Sequence, residues 1–271
     1  MTTPRRPRVR AIIQIFDASS SRALHVDTDD GEFVIKVTGN PEGPRVLIGE
    51  WIGTSLARRI GLSTPDFAII DVPSAISIPS SAAPHGSLGS AFGSRFEKLQ
   101  PWGGKSSVGA VTNTEMFSRI VVLDTWLRNV DRYSVSPGGR IRKNDQNLVL
   151  STAGAAKGKF VVKAIDHGHI LSGPSWTKSQ LSGIAAVKDR AVYGRFPEFE
   201  GYLAVAEIRK TLRRARRSNE SWLLSMIRQI PFEWGLRSGE AEAVIEFLRA
   251  RATYLESTLV GMIWPQSEFD F

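Results

Sequence analysis

The chain has no cysteine and only four histidines in 271 residues. Without thiols there is no disulfide framework, no thiolate nucleophile and no Cys-ligated zinc or iron–sulfur centre. Long apolar runs are missing too. The longest, around residues 11–16 and 120–123, fall far short of the ~20 residues of a spanning helix. Arg5, Arg6, Arg8 and Arg10 resemble the charged start of a signal peptide, but the apolar stretch behind them is too short. A cytoplasmic protein with no membrane insertion is the expectation. Acidic residues are the minority, 27 against 35 Lys+Arg, which leaves a formal charge of +8. The excess gathers in the N-terminal arm, at Arg140–Lys143 and in Arg209–Arg217. No zinc-finger spacing, no paired stacking aromatics and no helix-turn-helix accompanies it, so a nucleic-acid partner is an alternative that is not favoured. What is present, 42% hydrophobic and 23% charged residues, suits a folded globular chain of one large or two small domains.

The first third reads as strands around one helix. Residues 23–27 and 33–37 are short runs of β-formers joined by Asp29-Asp30-Gly31, a hairpin turn signal. Residues 38–44 are too rich in Gly and Pro for regular structure. A helix follows, with Pro44 in its first turn, Leu47, Trp51, Leu56 and Ile60 at helical spacing, and Gly61 as a left-handed cap. Residues 67–72 are a further strand candidate. Residues 74–94, dominated by Ser, Ala, Gly and Pro, read as a loop with little core contribution. A hinge is expected at about 97–103, giving a lobe over 1–100 and a mainly helical lobe over 104–271. Thr112 and Glu115 have capping-box spacing, with Val111 and Met116 placed as a hydrophobic staple. The helix they open runs through Leu127 and stops near Asn129. Residues 147–150 and 159–165 read as a hairpin, and most of 176–264 as helical. No internal repeat is apparent.

Four features then point to one chemistry. Lys36 ends a strand, Glu50 lies on the next helix, Asn129-Val130-Asp131-Arg132 follows a helix, and Asp166-His167-Gly168 ends a strand. Phosphoryl transfer needs a lysine on nucleotide phosphates, an acid holding that lysine, a carboxylate orienting the attacking hydroxyl, and oxygen ligands for Mg²⁺. The hairpin supports the grouping. A turn near Ala155 sets Asn147 beside residues 163–165, so its amide and the Asp166 carboxylate emerge at one end. Taken singly, each feature has a plainer reading as a surface pair or turn residue; it is their joint occurrence in this order that counts. His167 and His169 lack a third ligand, and packing or hydrogen bonding is the better reading for both.

Across nearly its whole length the chain resembles the HipA-like kinase domains of bacteria, distant relatives of the phosphatidylinositol 3/4-kinases. The resemblance is carried by FVIKVTGNPEGPRVLIGE (33–50), LARRIGLSTPDFAIIDV (56–72), FGSRF (92–96), DTWLRNVDR (124–132), QNLVL (146–150), AIDHG (164–168) and IPFEW (230–234). It implies an α+β, bilobal, protein-kinase-like fold: a small β-rich N-lobe with one main helix and a larger, mainly helical C-lobe. By the same resemblance Lys36 would bind the α/β-phosphates of ATP and Glu50 would pair with it. Gly39, Asn40 and Gly43 would lie near the phosphates, in a loop that lacks G-x-G-x-x-G. Backbone near Glu97 and Leu99 would meet adenine. Asp131 would be the catalytic carboxylate, Asn147 and Asp166 would ligate Mg²⁺, and Asp124, Asn129 and Arg132 would brace the catalytic loop. In the kinase loop signature the metal-binding Asn lies about five residues after the catalytic Asp. Here position 136 is serine and Asn147 comes sixteen residues on, so residues 134–145 read as containing an insertion, with Asn144 and Asp145 as alternative ligands. The function implied is transfer of the ATP γ-phosphate to a hydroxyl, foremost a protein Ser/Thr, with a growth-control or defence role conceivable only by analogy to toxin kinases of toxin–antitoxin systems. The alternatives are a small-molecule or lipid-headgroup kinase, and a pseudokinase or basic binding module. The acceptor is expected to be a protein or small molecule; the basic insertion reads equally as a holder of an acidic acceptor or as an exposed, idle loop.

Overall fold

Alternating β-branched and aromatic residues between turn-forming stretches build the first hundred residues into a sheet. The computed structural model describes residues 5–17, 19–86 and 89–265. In it β1 (Val9–Ile15), β2 (Leu24–Thr28) and β3 (Gly31–Lys36) form an antiparallel meander. Thr28 pairs with Gly31 across the turn, and Gly31 adopts φ +96°, which glycine takes without a Cβ penalty. Then comes α1 (Arg45–Ile60), opened by Pro44 and closed by Gly61 at φ +84°, as its apolar spacing predicts. With β4 (Phe67–Asp71) and β5 (Ser90–Arg95) the sheet has five strands in the order β1-β2-β3-β5-β4.

Two segments of this sheet differ from the sequence reading. Residues 9–15, read only as an arm with a short apolar run, form an edge strand. Arg10 within it, and the arginines just before it, obscure the pattern, because an edge strand has a solvent face that tolerates charge. Residues 74–94 were expected to contribute little to the core. Instead β5 starts at Ser90 and runs between β3 and β4, while Ala82 and Ala83 are buried against the sheet with Ile76 and Ile78 packed on them.

The remainder begins with β6 (Gln100–Pro101), α2 (Lys105–Val108) and α3 (Glu115–Leu127). The expected Thr112–Glu115 capping box does not form. Thr114 occupies the cap position, and Thr112 and Asn113 instead bond the backbone of residues 160 and 162, which offers them both donors and acceptors. Next are β7 (Tyr133–Val135), β8 (Ile141–Lys143), β9 (Leu148–Ser151) and β10 (Val161–Ala164). Strands β9 and β10 are the expected hairpin, with Leu148 opposite Ala164 and the Asn147 carbonyl accepting from the Ile165 N–H at 3.1 Å. The inserted residues make a second, exposed hairpin from β7 and β8. The chain finishes with α4 (Lys178–Ser182), α5 (Ile184–Val187), α6 (Val205–Arg216), α7 (Glu220–Ile227) and α8 (Ser238–Ile263). Among the described residues no helix is long and apolar enough to cross a membrane.

One hydrophobic core runs from Val46–Ile60 through α3 to α6 and α8, and a smaller one backs the sheet. Helix α1 packs on α3, α6 and α7 as well as β5. The helix that carries Glu50 is therefore gripped from both halves of the molecule.

Candidate active site

Lys36 leaves the end of β3 with its side chain almost fully buried, and its Nζ donates to Glu50 Oε1 at 2.5 Å and to Asp166 Oδ1 at 2.9 Å. Burial alone would lower the lysine pKa, but the carboxylates of Asp166 and Glu50 outweigh it and hold the ammonium charged. Burial pushes Glu50 up to about 7, opposed by Lys36. Burial also disfavours the Asp166 carboxylate, yet Lys36 prevails and holds its pKa below the usual range. The second Glu50 oxygen accepts the His167 backbone N–H at 2.9 Å, so one buried acid fixes both the lysine and the Asp166–His167 peptide.

Close packing makes this contact feasible. A Cβ on Gly49 would lie 2.6 Å from the Gly168 carbonyl, and Cβ atoms on Gly53 and Gly168 would collide with His167 and Val46. These glycines let α1 lie directly on the Asp166–Gly168 segment. Asp166 itself sits at φ +55°, a left-handed conformation uncommon outside glycine and often found at functional sites. His167 is buried with Nδ1 3.3 Å from Thr54 Oγ1, and burial holds it neutral.

Asp131 follows α3 through Arg128, which ends the helix at φ +51°. The buried Asn129 amide donates to Asp124 Oδ1 at 3.1 Å and accepts the Asp131 N–H at 3.3 Å. Fully buried Arg132 donates to Asp124 Oδ1 at 2.5 Å and to the Ile165 carbonyl at 2.8 Å. This clamps the Asp131 loop to the strand end that presents Asp166. Burial raises the Asp124 pKa, with Arg132 opposing. Asp131 Oδ2 accepts from the amides of both Asn144 and Asn147, at 2.9 and 3.0 Å. The inserted hairpin thus returns its own end to the loop it left. Asp145, the other alternative ligand, pairs with Lys143 at 2.9 Å.

A cavity of about 530 Å³ opens between the sheet and the Lys36, Glu50 and Asp166 cluster. Phe16, Ala23, Val34, Phe96, Leu99 and Ile165 supply much of its apolar wall, and Lys36, Glu50 and Asp166 mark its polar end. Leu99, expected near adenine, lies on the cavity wall. Glu97 lines it too, but its carboxylate is engaged by Lys163 at 2.6 and 2.8 Å and by Ser151 at 3.3 Å. The loop at residues 39–44 divides. Asn40, expected near phosphates, is buried; its amide donates to the Val37 and Gly43 carbonyls and accepts the Glu42 N–H. Gly39 packs against Gly86, whereas Gly43 at φ +81° faces open space. Glu42 reaches His169 at 2.9 Å, joining this loop to the segment after Asp166. The bond to Glu42 raises the His169 pKa.

Sequence reasoning missed the rim formed by Phe16, Ser19 and Ser21. Phe16, Ser19 and Ser21 line the cavity, and His25 stacks on Phe96 with centroids 4.0 Å apart. The signal was a Ser-rich turn between two β-prone runs, overlooked because the first run was not assigned as a strand.

A small sheet with one shared helix, a helical remainder and a cavity where they meet define the fold of the two-lobed kinases. The chain belongs to the HipA-like kinase family, whose profile it matches over residues 9–260. It is also similar in structure to the Helicobacter pylori proinflammatory kinase CtkA, with a TM-score of 0.60 and 14% sequence identity, covering 96% of this chain and 97% of that one. At that identity the likeness bears on fold alone. Comparison with curated proteins finds no match.

Proposed function

We propose that this chain binds ATP with Mg²⁺ and transfers the γ-phosphate to a serine or threonine hydroxyl of a protein. The observation that carries the reading is Lys36, buried and shared between Glu50 and Asp166 at the polar end of an apolar cavity. A buried cation held in place by two acids is preorganised for phosphate oxygens and needs no rearrangement when they arrive. The apolar walls suit a purine. Asp131 has one oxygen held by two amides, and among the described residues Oδ1 has no hydrogen-bond partner. It is the oxygen placed to accept the acceptor hydroxyl's proton.

The donor set fits Mg²⁺. Asn147 donates its side-chain N–H to Asp131, its side-chain oxygen Oδ1 has no hydrogen-bond partner among the described residues, and Asp166 adds a carboxylate beside Lys36. These are hard oxygen donors, of the kind Mg²⁺ takes in small number from protein while phosphates and water supply the rest. Such an ion neutralises charge between phosphate oxygens; Asn147 and Asp166 would hold it.

Purified chain incubated with labelled ATP, Mg²⁺ and a dephosphorylated protein mixture should transfer label to protein hydroxyls. Asp131→Ala should lower transfer by about 10²–10⁴-fold with an unchanged circular dichroism spectrum. Undiminished transfer removes Asp131 from the mechanism.

A further inference from the structure

Strands β7 and β8 form a hairpin that leaves the fold just after Asp131 and returns at Asn144, which bonds Asp131. The register sorts its side chains. Val135 pairs with Ile141 and Tyr133 with Lys143, while Ser134 pairs with Arg142, so residues 133, 135, 141 and 143 share one face. The Ser136 N–H donates to the Arg140 carbonyl, which extends the ladder and sets Arg140 on the other face with Ser134 and Arg142. That face is turned toward the catalytic loop, since the Ser134 hydroxyl donates to the Val130 carbonyl at 2.7 Å, one residue before Asp131.

The cations on the two faces differ in state. Lys143 is taken by Asp145, and Glu198 also acts on its charge. Arg140 and Arg142 are exposed and, among the described residues, have no acidic partner. We propose that Arg140 and Arg142 dock the acceptor, and that the acceptor is an acidic polypeptide segment carrying the target hydroxyl. This rests on the reading of Asp131 as the transfer site and adds the class of acceptor. Two guanidiniums on a short ladder, on the face that carries Ser134 and without an acidic partner among the described residues, offer forked donors to carboxylates flanking a Ser or Thr.

Fluorescence anisotropy on the full chain tests it, with three labelled probes: a peptide with one serine flanked by Asp and Glu, the same peptide flanked by Lys and Arg, and a single-stranded oligonucleotide. The acidic peptide should bind, more weakly as salt rises, and Arg140→Glu with Arg142→Glu should weaken it by about tenfold. Lys143→Glu should change it little, and ATP affinity of the double variant should equal that of the native chain. Acidic-peptide binding that is absent, or untouched by the double reversal, overturns the proposal. So does an oligonucleotide that binds more tightly than the acidic peptide through the same arginines. If acidic-peptide binding behaves as stated while the native chain fails to turn over ATP, the docking surface stands and the kinase reading falls.

Discussion

Lys36 and Asp131 are held by different physics. On the Lys36 side α1 lies against the Asp166–Gly168 segment with no room for a Cβ at Gly49, Gly53 or Gly168, and both acids meet the lysine directly. On the Asp131 side the carboxylate is half-buried and held by hydrogen bonds from the amides of Asn144 and Asn147, both just past the exposed β7–β8 hairpin, while the Asp131 backbone N–H donates to Asn129 Oδ1. The first side depends on volume and the second on polar geometry. Under the proposed function the fixed side would hold the nucleotide, which is the same in every turnover, and the more open side would take the acceptor, where variation disturbs the core least.

The comparison can be broken at the clamp that couples the sides. Arg132→Leu leaves Asp124 buried without its cation and frees the Ile165 carbonyl. A destabilisation of about 3–5 kcal/mol is expected, read as a lower midpoint in urea unfolding with both sides loosened together. Loss of transfer at unchanged stability would show that Arg132 acts on the chemistry and braces nothing. The smallest expected effect lies at the loop-to-segment link. His169 has its pKa raised by Glu42, so the pair stabilises the fold below about pH 6.5, the unfolded histidine value, and that contribution is lost as pH rises through the higher folded value. Glu42→Gln should therefore cost about 1 kcal/mol or less in mildly acidic buffer and nothing in alkaline buffer. Thermal melts at the two pH values check it; equal losses at both would show that the link is not electrostatic.

Much of this was legible in the sequence because local signals agreed with the global fold. Pro44, the apolar spacing and Gly61 set α1 within a residue, and the turn near Ala155 placed Asn147 beside the strand end carrying Asp166. The Gly49/Gly53 spacing was also visible on one helix face, but its meaning was not, since only the fold reveals what presses on it. Side-chain competition was invisible for the same reason. Asn40 looks like a phosphate-loop residue until its amide is seen holding that loop closed. Thr112 has the spacing of a cap, yet backbone 48 residues away takes its hydroxyl. Edge strand β1 was hidden by Arg10 and the arginines that precede it.

The most direct test of the division between the two sides is ATP affinity in the presence of Mg²⁺, measured by calorimetry on Lys36→Met and Asp131→Ala. The account predicts at least about a tenfold loss for Lys36→Met, since a charge-assisted contact to phosphate is removed, and native affinity for Asp131→Ala. Equal affinity losses in both variants, or retained affinity in Lys36→Met, would contradict it.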